Sequence, residues 1–148
     1  MTSDELRVLG SLCACLDVSR VRIHRGEGRL LRRGLRQVVL ALSRGRCVAL
    51  GNHIFLPDRA ASLPVLAHEL THCAQYQAWG PLRYFGRAVV ERMRELRWRV
   101  GLGASPYEYE CEPWKPFESY RMEQQGQIVE DCFRGSARAA AISPYRPG

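Results

Sequence analysis

The chain has 148 residues, with 22 basic against 15 acidic side chains and a formal charge of +7. That length suits one domain with a modest core, and the sequence has no run of about 18 apolar residues, so no membrane-spanning helix is expected. Nine Arg between Arg20 and Arg46 face only Glu27, a stripe that suits an anionic partner, but no aromatic-interleaved motif accompanies it and nucleic-acid binding is not expected.

Residues 3–16 read as a helix, with Ser3 or Asp4 as its cap and Leu6, Leu9, Leu12, Cys13 and Leu16 at helical spacing. Ser19 to His24 alternates as a short strand with Val21 and Ile23 on the apolar side. From about Gly28 to Ser43 a helix is expected, burying Leu31, Leu35, Val38, Val39 and Leu42 and turning Arg29, Arg32, Arg33 and Arg36 outward. Cys47 to Leu50 and His53 to Leu56 form a hairpin around Gly51-Asn52, ended by Pro57. A strand in that position is expected to form the rim of a cleft, where His53-Ile54-Phe55-Leu56 would pair with extended substrate. A helix opened by Ala61 or Ser62 and closed by Gly80-Pro81 follows, then a long Arg-rich helix from Leu82 to Val100. After an irregular aromatic stretch, a last helix runs from about Phe117 to Arg134, and residues 136–148 read as a flexible C-terminal tail after a single domain spanning 1–135.

The middle helix carries Leu66-Ala67-His68-Glu69-Leu70-Thr71-His72-Cys73-Ala74-Gln75. Residues four apart share a helix face, so His68 and His72 are placed to hold one metal ion with Glu69 beside it as a general base. For 4 His and 11 Glu in this chain, His-Glu-x-x-His is expected about 0.01 times by chance. His68, His72, Gln75 and Trp79 fall on one side of the helix, away from the apolar stripe of Leu63, Leu66, Ala67, Leu70, Cys73 and Ala74. Such a site takes a third protein ligand and leaves one position for water. No histidine follows His72, so the candidates are His24 or His53 upstream, or a later carboxylate or cysteine. The last helix is the better source. Met122, Ile128, Val129, Cys132 and Phe133 form its buried face, Gly126 allows close approach, and Glu123 and Glu130 border that face. A carboxylate held there needs a partner; Glu123 is the first choice and Glu108 the second.

Val21-Arg22-Ile23-His24, Ala49 to Leu56 and Leu66 to His72 with Gln75 following resemble a bacterial family of metallopeptidase domains, the extracellular contractile injection system core domain, found beside contractile injection systems and polymorphic toxins. The likeness spans roughly residues 19 to 132. Met122-Glu123-Gln124-Gln125-Gly126 also resembles the Glu-Gln-Gln-small signature of related gluzincin-type enzymes, which carries the third-ligand role to Glu123. The resemblance implies an α+β, compact zincin-like domain, mostly helical, with a small N-terminal sheet before the His-Glu-x-x-His helix. Cys73 departs from the Val usual at its position.

Together these readings predict a zinc metalloendopeptidase, with His68, His72 and Glu123 as ligands of Zn2+ and Glu69 as the base. An oxyanion donor is expected among Tyr120, Tyr107 and Tyr109, with Tyr120 the first choice, and Glu130 or Asp131 is expected to orient the imidazoles. The partners would be a protein or peptide substrate and a secretion-system or toxin component. Competing readings are a non-catalytic, zinc-containing or basic docking module of such an assembly, and a latent protease held off by its amino-terminal segment. Six cysteines without Cys-x-x-Cys pairs read as buried free thiols of a reducing compartment, with Cys13-Ala14-Cys15 a weak metal signal. Acidic residues at the start argue against a signal peptide and for a cytoplasmic protein exported, if at all, by a specialised apparatus.

Overall fold

A computed structural model describes residues 2–25, 34, 37–39, 41, 43, 45–57 and 62–148. Most of the helix expected from Gly28 to Ser43, with its Arg face, lies outside them, as does Ala61; Gly34, Gln37, Val38, Val39 and Ala41 are helical. Val38, expected inside, is 58 % exposed.

The chain is mostly helical with one small sheet. Thr2, rather than Ser3 or Asp4, caps α1 (Ser3–Val8). Its hydroxyl accepts from Glu5 N–H while the Glu5 carboxylate accepts from Thr2 N–H, a reciprocal pair that the spacing of three residues permits. The expected single helix breaks at Leu9, after which α2 (Gly10–Cys13) follows. Leu9, Leu12 and Leu16 are buried in the core.

Residues 18–20 make a 3-10 turn because Asp17 caps it at Ser19, so β1 is confined to Arg22–His24. β2 (Val48–Leu50) and β3 (His53–Phe55) form the hairpin around Gly51-Asn52, with Leu50 opposite His53 and Val48 opposite Phe55. Gly51 sits at φ 63°, and a side chain there would also press on the Tyr76 ring at 3.2 Å. β1 pairs parallel to β3, giving the order β1-β3-β2. This corrects the expectation for His53 to Phe55. β3 is the central strand, its two edges are taken by β1 and β2, and substrate cannot add to it; the outer strands are β1 and β2.

α3 (Leu63–Trp79) is the hub, with Ser62 at its N-cap and Gly80 at its C-cap. Every residue from Leu66 to Gln75 is buried. One side packs on the sheet and α2, the other on α5 (Met122–Phe133). α4 (Pro81–Arg99) leans on α3 and α5 with an inverted pattern: Glu91 and Glu95 are buried while Leu82, Val89 and Met93 are exposed. Tyr120 is extended (φ -70°, ψ 152°), so α5 starts at Met122 and only a 3-10 turn occupies Phe117–Ser119.

Residues 136–148, expected as a flexible tail, are folded against the domain. Ser136 caps α6 (Ala137–Ile142), Ala139 is fully buried against its surroundings, and Arg146 and Gly148 bond back to Ser11 and Val8 near the amino terminus. All six cysteines are free; Cys73 and Cys132 are buried. No helix among the described residues is long and apolar enough to cross a membrane.

Candidate metal centre

The polar side of α3 meets the first turn and a half of α5. His68 Nε2 and His72 Nε2 each lie 3.6 Å from Glu123 Oε2, and the donor atoms of the three residues lie within 4.8 Å of one another, the one such group among the described residues. A gap of 3.6 Å is longer than a hydrogen bond. It is close to the roughly 3.4 Å that separates neighbouring ligands on a tetrahedral zinc with bonds of about 2.0–2.1 Å. Gly126, one turn along α5, leaves the space: a Cβ there would stand 2.7 Å from His68 Nε2. Two imidazole nitrogens, one carboxylate and a gap bounded by a glycine therefore fit a zinc-sized ion.

The far nitrogens are locked. His68 Nδ1 is 3.0 Å from Glu130 Oε2, and Arg134 holds the other Glu130 oxygen at 2.5 Å. His72 Nδ1 is 2.8 Å from Gln75 Oε1. The Gln75 amide cannot turn over, because its nitrogen donates to Met122 O at 3.2 Å and to Gln125 Oε1 at 2.9 Å. Gln125 is fixed in turn by donating to Tyr120 O. Gln75 thus presents only an acceptor to His72, so Nδ1 carries the proton and Nε2 keeps its lone pair for a metal. Without a metal, burial alone would depress both imidazoles, but Glu123 and, for His68, Glu130 outweigh it, lifting His72 and taking His68 to about 10. Burial would raise Glu123, yet His72 and His68 hold it far below the usual carboxylate range. The metal-free cluster is an ion-paired one that must release protons to take a cation.

Glu69, 6 % exposed, stands next to His68 on α3. Burial pushes its carboxyl up, opposed by His68 and His72. With Glu123 and both histidines it lines an open cavity of about 900 Å³, walled also by β2, by Tyr84, Glu91 and Glu95 of α4, and by Tyr107. The Tyr84 hydroxyl donates to Ala49 O at 3.1 Å, so the outer edge of β2 meets the cavity with its central carbonyl engaged.

Residues 15–80 match the family model of the eCIS core domain. The match takes in β1, the hairpin and the whole of α3, hence His68, Glu69, His72 and Gln75, but stops before Glu123. It covers under half of the chain. No curated protein and no solved structure matches.

Beyond the matched segment, the structure sorts the sequence candidates. Glu108 lies exposed on the loop after α4 and outside the cluster; Glu123 is the carboxylate that meets the Nε2 atoms of both histidines. His24 and His53 also lie outside it, stacked on each other with His24 Nε2 2.9 Å from His53 Nδ1. Tyr120 does not reach the cavity. Its hydroxyl donates to Glu110 O at 2.9 Å and accepts from Glu112 N–H at 3.2 Å, which fixes it under the loop and removes it from the catalytic candidates. Tyr109 is turned onto Asp131 at 2.7 Å, which also takes Asp131 away from the imidazoles. Tyr107 lines the cavity, its hydroxyl 3.2 Å from Arg46 Nη1, and burial raises it to about 12, so it stays a donor. Sequence reasoning missed Gln75 as the partner of His72, although the spacing of three residues on one helix was the available signal. It also missed Tyr84 and Arg46, for which no local signal exists.

Glu95 gathers Arg46, Arg92 and Arg99 around one buried carboxylate. Burial alone would raise it, but hydrogen bonds from Arg46 and Arg92 hold it below its ordinary 4.5. A depressed folded pKa stabilises the protein above the unfolded value and ceases to as pH falls through the folded one. Glu95→Gln should therefore cost about 2 kcal/mol at pH 7 and flatten the loss of stability below about pH 4.5. Urea midpoints at pH 7 and pH 3 measure both; equal acid sensitivity of the two proteins would refute the assignment.

Proposed function

We propose that the chain is a zinc-dependent peptidase associated with a contractile injection system. The observation that carries the reading is the convergence of His68, His72 and Glu123 within 4.8 Å, with Glu69 adjoining in the same cavity. Zinc, when bound by those three, supplies a water of near-neutral pKa and polarises a carbonyl. Glu69 takes the proton of the attacking water and returns it to the leaving amine, a role its buried, raised carboxyl suits. Glu130 and Gln75 hold the imidazoles in the ligating tautomer. Tyr107, protonated at neutral pH, is the hydroxyl in the cavity wall that suits a developing oxyanion.

The match of residues 15–80 to the eCIS core domain supports the association and also favours a second reading, a non-catalytic docking module of such an assembly. The experiment that separates them is the zinc content of purified wild type, Glu123→Ala and Glu108→Ala, followed by incubation with an unfolded protein such as reduced casein. The peptidase reading expects about one zinc per chain, lost with Glu123→Ala and kept with Glu108→Ala, and cleavage that a chelator stops. No zinc after reconstitution, or zinc without turnover, supports the docking module.

A further inference from the structure

Although the chain as a whole is strongly basic, its cavity is acidic. Among the described residues that line it, five glutamates (Glu69, Glu91, Glu95, Glu123 and Glu130) outnumber Arg46 and Arg92 together with the two histidines that Glu123 faces. Three of these carboxylates are already paired, and a fourth is the proposed base. Glu123 faces the histidines, Glu69 is the base, Glu130 is shared by His68 and Arg134, and Glu95 is enclosed by Arg46, Arg92 and Arg99. Glu91 differs. Arg94 binds its Oε1 at 2.7 Å, while Oε2 has no hydrogen-bond partner although the side chain is only 6 % exposed. Among the described residues just two buried side-chain polar atoms lack a partner, Glu91 Oε2 and Arg99 Nη1, and of those two residues only Glu91 lines the cavity. Buried carboxylate oxygens are ordinarily satisfied, so one left unpaired in the wall of this cavity is an acceptor that lacks its donor. It does not complete the metal cluster, which closes on His68, His72 and Glu123 alone.

We propose that Glu91 is the specificity residue of the cavity, accepting a hydrogen bond from a cationic group of the peptide that occupies it. The group is an ammonium or guanidinium, and it comes either from a Lys or Arg side chain or from a free amino terminus. A cation opposes the surplus of carboxylates in the wall and meets the unpaired oxygen in a charge-assisted bond. An apolar side chain would leave that oxygen buried and unpaired, so discrimination against it is built in. The inference rests on the peptidase reading above, because it takes the cavity to be a peptide site.

The test titrates three hydroxamates into the zinc-loaded full chain by calorimetry. Acetyl-arginine hydroxamate carries a side-chain cation, leucine hydroxamate a free amine, and acetyl-leucine hydroxamate neither. At least one of the cationic probes is expected to bind roughly 10- to 100-fold tighter than acetyl-leucine hydroxamate, and which one names the source of the cation. In Glu91→Gln that ratio should collapse toward one; persistence of the ratio overturns the role of Glu91. Equal affinity of all three for the wild type overturns the inference while leaving the metal site standing, and does not depend on how the variant folds. Failure of every hydroxamate to bind overturns the peptidase reading itself, and the inference with it.

Discussion

Glu69→Gln is expected to retain zinc and to lose peptide hydrolysis by about 10²- to 10⁴-fold, the usual contribution of a positioned general base. The substitution is close to isosteric, and Glu69 is buried between the sheet and the histidines, where shape matters more than for an exposed residue. Gln fills the same space and can still accept a hydrogen bond, so the helix and the cluster of His68, His72 and Glu123 should persist. What it cannot do is take a proton from water. Zinc content and turnover measured on the same sample separate the two effects. Undiminished turnover would remove Glu69 from the chemistry.

Gly126→Ala should do the converse, expelling the metal from a folded protein. The new methyl carbon would lie 2.7 Å from His68 Nε2 and 2.9 Å from Cε1, well inside van der Waals contact. The imidazole has no easy retreat, since Glu130 holds its other nitrogen at 3.0 Å and α5 packs closely on α3. Overpacking of this kind costs about 1–3 kcal/mol, and roughly 1 kcal/mol of that is offset by the better helix propensity of Ala. The fold should survive with a lowered melting point. Zinc affinity should fall by about 10- to 100-fold or more, as when a ligand is turned from its bearing. An alanine variant that binds zinc as wild type does would mean that His68 does not ligate through Nε2.

Much of this arrangement could be read before the fold was known, because its signals are local. His-Glu-x-x-His declares itself by spacing on one helix, and Gly51-Asn52 declares the hairpin by its turn chemistry. Glu123 could be ranked above Glu108 because it borders an apolar helical face beside a glycine. What escaped notice depends on pairings between distant segments. The parallel pairing of β1 with β3 turned an expected rim strand into a central one, and nothing within His53 to Phe55 announces that neighbour. Glu91 and Glu95 resemble ordinary solvated glutamates on an Arg-rich helix; Arg46, 49 positions away, is what reaches over Glu95, and nothing local announces it. The choice among three tyrosines turned on the path of a loop without regular structure, which sends the Tyr120 hydroxyl to Glu110 and leaves Tyr107 at the cavity.

The hydrogen bonds that brace the site join residues far apart in the chain: Gln75 to Gln125 spans 50 positions and His68 to Glu130 spans 62. An ion gripped by His72 and Glu123 would close a loop of similar size. Closing about 50 residues removes roughly 4 kcal/mol of freedom from the unfolded chain on the entropy account used for disulfides. Six cysteines are present and none is paired, so such an ion would add a cross-link between α3 and α5 that no disulfide supplies, and its loss would slacken the packing of those two helices as well as empty the site.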